Sequence, residues 1–316
     1  MVTATSVSLK GKHLLTLADL TKDEIMQIIL DAIKLKELQK KGETHHYLKG
    51  KTLAMIFEKL STRTRVSFET GMFQLGGHAL FLGKDDLQMG RGETVEDTAK
   101  VLSRFVDGIM IRAYSHESVV QLANNSDVPV INGLTDDYHP CQVLADLMTL
   151  YEAKGNLEGK KLAYVGDGNN MAHSLMIGCA KLGVSCSIAA PKGYEPKQAI
   201  VERAQEFAKE TGAVIEVTND PKVAANGADA VYTDVWTSMG WEAEQEERLK
   251  AFADFQVNSE LMAEADSEAV FLHCLPAHRG EEVSAEVIEG PQSLVFDEAE
   301  NRLHAQKALM VALMAD

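Results

Sequence analysis

Short apolar runs alternate with longer amphipathic stretches along most of the chain. In the first half, residues 52–57, 78–82, 108–112 and 129–132 read as strands, because each is a continuous apolar run too short for a helix. Between them, 63–75, 94–105 and 117–124 have helix length and one apolar face. In the second half the strand candidates are 162–165, 184–189, 214–217, 228–233 and 269–273, with helices over 170–182, 196–211 and 221–225. Gly183 and Gly212 stand where two of these helices should stop, the left-handed position that glycine favours. Further helices are expected over 142–153 and 298–314.

Alternation of this kind implies parallel sheets covered by helices on both faces, an α/β class. A break near 154–160, where a long helix gives way to a Gly/Asn-containing stretch, divides the pattern in two. The expected architecture is two domains, 1–153 and 154–297, each a mainly parallel sheet flanked by helices, with an active site in the cleft between them. Ligands in such folds gather at the carboxyl ends of strands.

Composition narrows the partners. With 31 basic against 47 acidic residues the formal net charge is −16, which argues against nucleic acid and anionic membranes, since both reward a basic face. No apolar run approaches the ~20 residues of a membrane span. The first residues lack the apolar core of a signal peptide, so a cytoplasmic protein is expected. The four cysteines include no C-x-x-C pair, which suggests reduced thiols rather than a metal or disulfide framework.

The segments after the strands carry the chemistry. Ser61-Thr62-Arg63-Thr64-Arg65 opens a helix directly after a strand. A helix N-terminus offers unpaired N–H groups and a positive dipole end, and Arg63 can grip two phosphate oxygens at once. Single Ser or Thr residues here are often plain caps, but the whole run points to an anion. It is no P-loop, so ATP and GTP are not indicated. Arg112 closes a strand and either marks the surface or points into the cleft. His139-Pro140-Cys141-Gln142 starts the long helix. Pro140 suits its first turn and leaves His139 at the cap, where it is a hydrogen-bond donor to a ligand or only a capping residue.

Gly166-Asp167-Gly168-Asn169-Asn170 resembles a dinucleotide fingerprint without its third glycine, and no acidic ribose ligand closes the next strand, so nicotinamide binding is disfavoured. Asn170 reads as a cap or a polar ligand. Asp234, beyond a strand end, could hold a cationic amine or cap a turn. Cys274 beside His273 invites a nucleophile reading, but neighbours on a strand point to opposite faces, so a polar contact or packed thiol fits better. Arg302 could reach an anion or lie solvated on its helix.

Taken together and in this order, the segments resemble the aspartate/ornithine carbamoyltransferase family over nearly the whole chain. The resemblance rests on 57–65, 139–142, 166–170, 234–240, 273–280 and 298–302. It implies a first domain that binds carbamoyl phosphate, to which the final helix 298–316 returns, and a second domain that binds the amine. The smallest assembly would be a homotrimer with active sites at subunit borders. On that pattern Ser61, Thr62, Arg63 and Thr64 bind phosphate. Gln88, Arg112, His139, Pro140, Cys141, Gln142, Cys274, Leu275 and Arg302 lie around carbamoyl phosphate, and Asn170, Asp234, Ser238 and Met239 receive ornithine. The Ser238-Met239-Gly240 segment matches members that use ornithine rather than aspartate or putrescine.

The implied reaction is attack of a neutral side-chain amine on the carbamoyl carbon, giving citrulline and phosphate, a step of arginine metabolism. Such an amine has a pKa of about 10.4 free in water, so it must lose a proton before attack. Asp234 and Cys274 would hold the nitrogen while Thr64, Arg112 and His139 polarise the carbonyl. No metal or organic cofactor is called for. Two other classes compete: a nicotinamide-linked dehydrogenase, and a binding protein that retained the fold without catalysis.

Overall fold

Two all-parallel sheets organise the chain. The computed structural model describes residues 9–89, 92–238, 240 and 242–315, which divide into two compact units, 1–148 with 300–316 and 149–299.

The first unit opens on α1 (Lys22–Lys40), for which the strand–helix reading above has no counterpart. Its signals are nonetheless in the sequence. Thr21 and Glu24 form a reciprocal capping box, and Ile25, Ile28, Ile29, Ala32 and Leu35 are buried at helical spacing,. There follow β1 (Thr52–Phe57), α2 (Thr62–Gln74), β2 (His78–Gly83), α3 (Val95–Leu102), β3 (Gly108–Arg112), α4 (His116–Asn124), β4 (Val130–Leu134) and α5 (Pro140–Lys154). The sheet order is β2-β1-β3-β4. β3 is buried throughout and β1 nearly so, as strands covered on both faces must be. β2, at the edge, alternates between exposed and half-buried.

The second unit continues with β5 (Lys161–Val165), α6 (Asn170–Leu182), β6 (Ser185–Ala189), α7 (Gln198–Thr211), β7 (Ile215–Thr218), α8 (Pro221–Ala225) and β8 (Ala230–Thr233). After it come α9 (Gln245–Ala251), α10 (Ser259–Met262), β9 (Val270–His273) and α11 (Ala285–Ile288). The sheet order is β7-β6-β5-β8-β9. Gly183 and Gly212 do end α6 and α7 in the left-handed conformation. The last helix, α12 (Val295–Met314), starts at the end of the second unit and belongs to the first from Glu300 onward. There Lys36 Nζ donates to Asn301 (2.7 Å), and a Cβ on Gly71 of α2 would meet Met310 at 3.0 Å. No helix among the described residues is long and apolar enough to cross a membrane.

Strand order locates the chemistry. In the first sheet the chain builds outward from β1 to β2, then returns to the other side of β1 for β3. In the second it builds from β5 to β6 and β7, then returns beside β5 for β8. Crevices for ligands open where the order reverses, at the carboxyl ends of β1 and β3 and of β5 and β8. Those ends lead to Ser61, Arg112, Gly166 and Asp234.

Candidate active site

In the first unit, Phe57 and Arg112 sit side by side at the ends of β1 and β3. The amides of Glu58 and Lys59 both donate to the Arg112 carbonyl (2.9 and 3.4 Å). Ser61, in extended backbone, caps α2, its Oγ accepting from the Thr64 amide (3.2 Å). Capping therefore holds for Ser61 and does not compete with anion binding, because it occupies only one of the first-turn N–H groups. Thr62 is exposed and Arg63 half-buried, with a buried Nε that has no hydrogen-bond partner. Thr64 is buried, and its hydroxyl oxygen accepts from Arg302 Nη2 (2.9 Å) across 238 positions of sequence. Arg65 turns elsewhere, to Glu69 (2.9 Å) and the face of Phe81 (3.9 Å).

His139 stands immediately before α5, its carbonyl accepting from Gln142 and Val143 (3.2 and 3.3 Å), and Pro140 is the first helical residue. The ring is buried, at 4% exposure. Burial holds its pKa well below the ordinary histidine value, and the guanidiniums of Arg302, Arg112 and Arg63 push the same way. Three guanidiniums thus bear on a neutral imidazole, with Arg112 and Arg302 themselves buried. A phosphate entering this group would gain charge-assisted bonds from several guanidiniums at once. A neutral histidine can also polarise a carbonyl without adding a fourth charge. Gln142 Nε2 donates to Asp146 (2.8 Å), which leaves its oxygen as the end suited to accept from a ligand N–H.

Two expected ligands fall outside this group. The Cys141 thiol points at the Asn132 carbonyl (3.4 Å), and burial pushes its pKa up to about 12, so it packs as a neutral thiol. Gln88 is exposed on the loop between β2 and α3. Lys59, which the motif reading did not single out, is 5% exposed, ion-paired with Asp136 and set over the Tyr114 ring (4.4 Å).

In the second unit, Asp234 is buried just beyond β8. Its carboxylate accepts from the Val235 amide (2.8 Å), Asn169 Nδ2 (3.0 Å) and Cys274 Sγ (3.1 Å). Asn169 rather than Asn170 caps α6, its Oδ1 accepting from the amides of Met171 and Ala172 (2.9 and 3.4 Å). This corrects the capping alternative by one position: Asn170 is the first helical residue and half-exposed. Ser238 is half-buried on the loop after β8. Met239 lies outside the described residues.

His273 cannot serve Cys274 as a base. Its Nδ1 accepts from the Leu275 amide (2.8 Å), so Nε2 carries the hydrogen toward Glu282 (3.1 Å),. These bonds, rather than the opposite faces expected, exclude a Cys–His dyad, since a His273 ring nitrogen lies within 4.8 Å of the Cys274 sulfur. The Leu275 amide being engaged, only its carbonyl could address a carbamoyl N–H. Leu275 adopts φ 56, a left-handed conformation a leucine avoids unless its surroundings impose it. Ligand-type atoms of Asp234, His273 and Cys274 lie within 4.8 Å of one another, but a metal there would have to break the bonds just described.

Gly168 explains itself differently from a fingerprint glycine. A Cβ there would lie 2.2 Å from Pro196 N and 2.6 Å from the Tyr194 carbonyl, to which the Gly168 amide donates (2.8 Å). In a dinucleotide site the second glycine admits a pyrophosphate. Here the protein's own 194–196 segment fills that space, which removes the dehydrogenase reading. Arg248 was also missed: it is buried and bonded to Asp167 (2.8 Å), yet in sequence it resembles any solvated helix arginine.

An arginine-rich anion group at the switch point of the first unit and a buried carboxylate at that of the second suit a transferase with an anionic donor and an amine acceptor. Comparison with known proteins agrees. Residues 12–152 match the family model "Aspartate/ornithine carbamoyltransferase, carbamoyl-P binding domain", and 158–313 match "Aspartate/ornithine carbamoyltransferase, Asp/Orn binding domain". The chain belongs to the aspartate/ornithine carbamoyltransferase family. It is 62% identical to the ornithine carbamoyltransferase of Anoxybacillus flavithermus over 99% of both chains. With that of Bacillus subtilis it is 59% identical, over 99% of this chain and 97% of the other. Among solved structures, ornithine carbamoyltransferase from Pyrococcus furiosus superposes with a TM-score of 0.95 at 56% identity, covering 98% of each chain.

Proposed function

We propose that this chain transfers the carbamoyl group of carbamoyl phosphate to the side-chain amine of ornithine, giving citrulline and phosphate. The observation that carries the reading is the neutral His139 among Arg63, Arg112 and Arg302, beside the N-terminus of α2. The names of relatives at about 60% identity supply the amine.

On this reading Ser61, Thr62, Arg63 and Thr64 hold the phosphate, Arg63 and Arg302 stabilising it as it leaves. Arg112, His139 and Thr64 draw negative charge onto the carbamoyl oxygen, where each donor contributes roughly 10²–10³ in turnover. Gln142 and the Leu275 carbonyl accept from the carbamoyl NH₂. Asp234 and Cys274, 3.1 Å apart, receive the amine, which attacks once neutral; Asn170, Ser238 and Met239 complete the ornithine side. Pro140 and Cys141 contribute by shaping the start of α5. Gln88, exposed on its loop, suits a role toward a neighbouring subunit in a homotrimer. The enzyme would work in the cytoplasm, in arginine metabolism.

The test is citrulline formation by purified protein given carbamoyl phosphate with ornithine, putrescine, N-acetylornithine or aspartate in parallel. Turnover with ornithine alone is expected. Turnover with another amine would retain the carbamoyl phosphate half and overturn the amine. Phosphate binding without any turnover would favour a binding protein.

A further inference from the structure

The loop that follows β8 carries Asp234, Trp236 and Ser238, and it is held at two points by the loop that follows β5. Asn169 grips Asp234 directly (3.0 Å). Two residues earlier, Asp167 accepts from Arg248 Nη1 (2.8 Å), and the same nitrogen donates to the Trp236 carbonyl (2.9 Å). Arg248 Nε reaches Glu244 (3.1 Å), and its guanidinium lies over the Tyr194 ring (5.0 Å). One buried side chain on α9 therefore joins the segments that follow β5, β6 and β8.

We infer that Arg248 and Asp167 are positioning residues that set ornithine affinity by fixing the Asp234–Ser238 loop. This rests on the proposed function. Neither residue need touch substrate. Asp167 supplies a buried acceptor that keeps the guanidinium oriented, and Arg248 conveys that orientation to the Trp236 carbonyl, two residues before Ser238. The surroundings fit a buried pair that needs both members. Burial, with Asp234 and Glu244, pushes Asp167 up to about 6 against the pull of Arg248. Charge-assisted bonds in such a setting are the strong ones. Tyr194 and Phe252 form an aromatic floor, Phe252 stacking on Trp236 (5.8 Å), so the loop has a packed seat as well as a polar anchor.

The experiment uses the full chain with Arg248→Gln, Arg248→Lys and Asp167→Asn. Losing a hydrogen bond to a charged group should raise the ornithine KM roughly 10–100-fold in Arg248→Gln. The carbamoyl phosphate KM should stay within about twofold, and inorganic phosphate should still bind. Arg248→Lys and Asp167→Asn, each keeping part of the bonding, should fall between. An activity-independent readout comes from Trp236: the chain has two tryptophans, so Trp241→Phe leaves Trp236 as the one reporter. Its emission should shift to the red in Arg248→Gln at temperatures well below the melting transition. Unchanged emission, or equal loss of affinity for both substrates, would overturn the inference. If the parent chain makes no citrulline, the functional reading fails by itself. The Trp236 emission then still decides whether Arg248 holds the loop.

Discussion

Replacing Gly168 by alanine should be among the most damaging single-methyl additions available to this protein. The added Cβ would sit 2.2 Å from Pro196 N, 2.3 Å from the Glu195 carbonyl carbon and 2.6 Å from the Tyr194 oxygen, where ordinary contact begins at 3.4 Å. All three are backbone atoms, so no side chain can swing aside, and the 194–196 segment must retreat by more than an ångström. That movement breaks the Gly168–Tyr194 hydrogen bond, about 1 kcal/mol net, and adds overpacking strain of about 1–3 kcal/mol. The sum is about 2–4 kcal/mol, or roughly 5–15 °C in melting temperature for a unit of this size. A control separates crowding from backbone preference. Gly155 has φ +76 and nothing within 4 Å of its would-be Cβ, so alanine there should lose only about 1–2 kcal/mol. Thermal melts at one protein concentration, followed by circular dichroism, compare the two. A Gly168→Ala melt within 2 °C of the parent, or above that of Gly155→Ala, would refute the packing argument.

Arg112→Ala should lower turnover roughly 10²–10³-fold at saturating carbamoyl phosphate; steady-state rates near the parent's would remove Arg112 from the oxyanion role. Glu298→Ala should destabilise by about 2–5 kcal/mol, because it removes the buried carboxylate that accepts from the Tyr232 hydroxyl (3.1 Å) and the His273 amide (2.9 Å),; a urea titration measures it. Stability should fall on acidification below about pH 6.5. His139 and His304 (the latter held down at about 3), with His13 and His45, have folded pKa values below the unfolded one. The unfolded chain therefore binds more protons there. Asp167, raised to about 6, acts in the opposite sense between its unfolded value and 6, but four histidines outweigh one carboxylate. A melting temperature flat from pH 7 to 5 would contradict this.

What the sequence disclosed follows from how local each signal is. Buried parallel strands are apolar runs whatever surrounds them, so 52–57 and 108–112 were legible to the residue. The helix Lys22–Lys40 was not, because its buried face also includes Asp31 and Lys36, which blur the apolar period that its other buried positions keep. At the site, Ser61–Thr64 stood out because strand-end position and residue type agree, whereas the residues alone left His139 open between ligand and cap. The bond from Arg302 to Thr64 spans 238 positions, and no periodicity encodes a partner so distant; the family resemblance implied only that both residues lie near one ligand. Asn169 and Asn170 are neighbours of the same type, and which one caps α6 depends on where its first turn begins. Arg248 sits in a Glu-rich run, where solvation and burial look alike until the Gly-Asp-Gly loop is folded beside it.

The return of the chain's end to the first unit has a consequence for synthesis. Residues 149–299 form a contiguous stretch, so the second unit can close without residues 300–316. The first unit cannot. Arg302, Ala305, Ala308, Leu309, Met310 and Leu313 belong to its buried interior and are made only after the second unit. Domains usually fold in the order they are made. Here the unit begun first is completed only after the second has been made, and until then its anion group lacks an arginine and its α2 an apolar neighbour. A purified chain ending at Ala299 should resist protease across the second unit and be cut freely in the first.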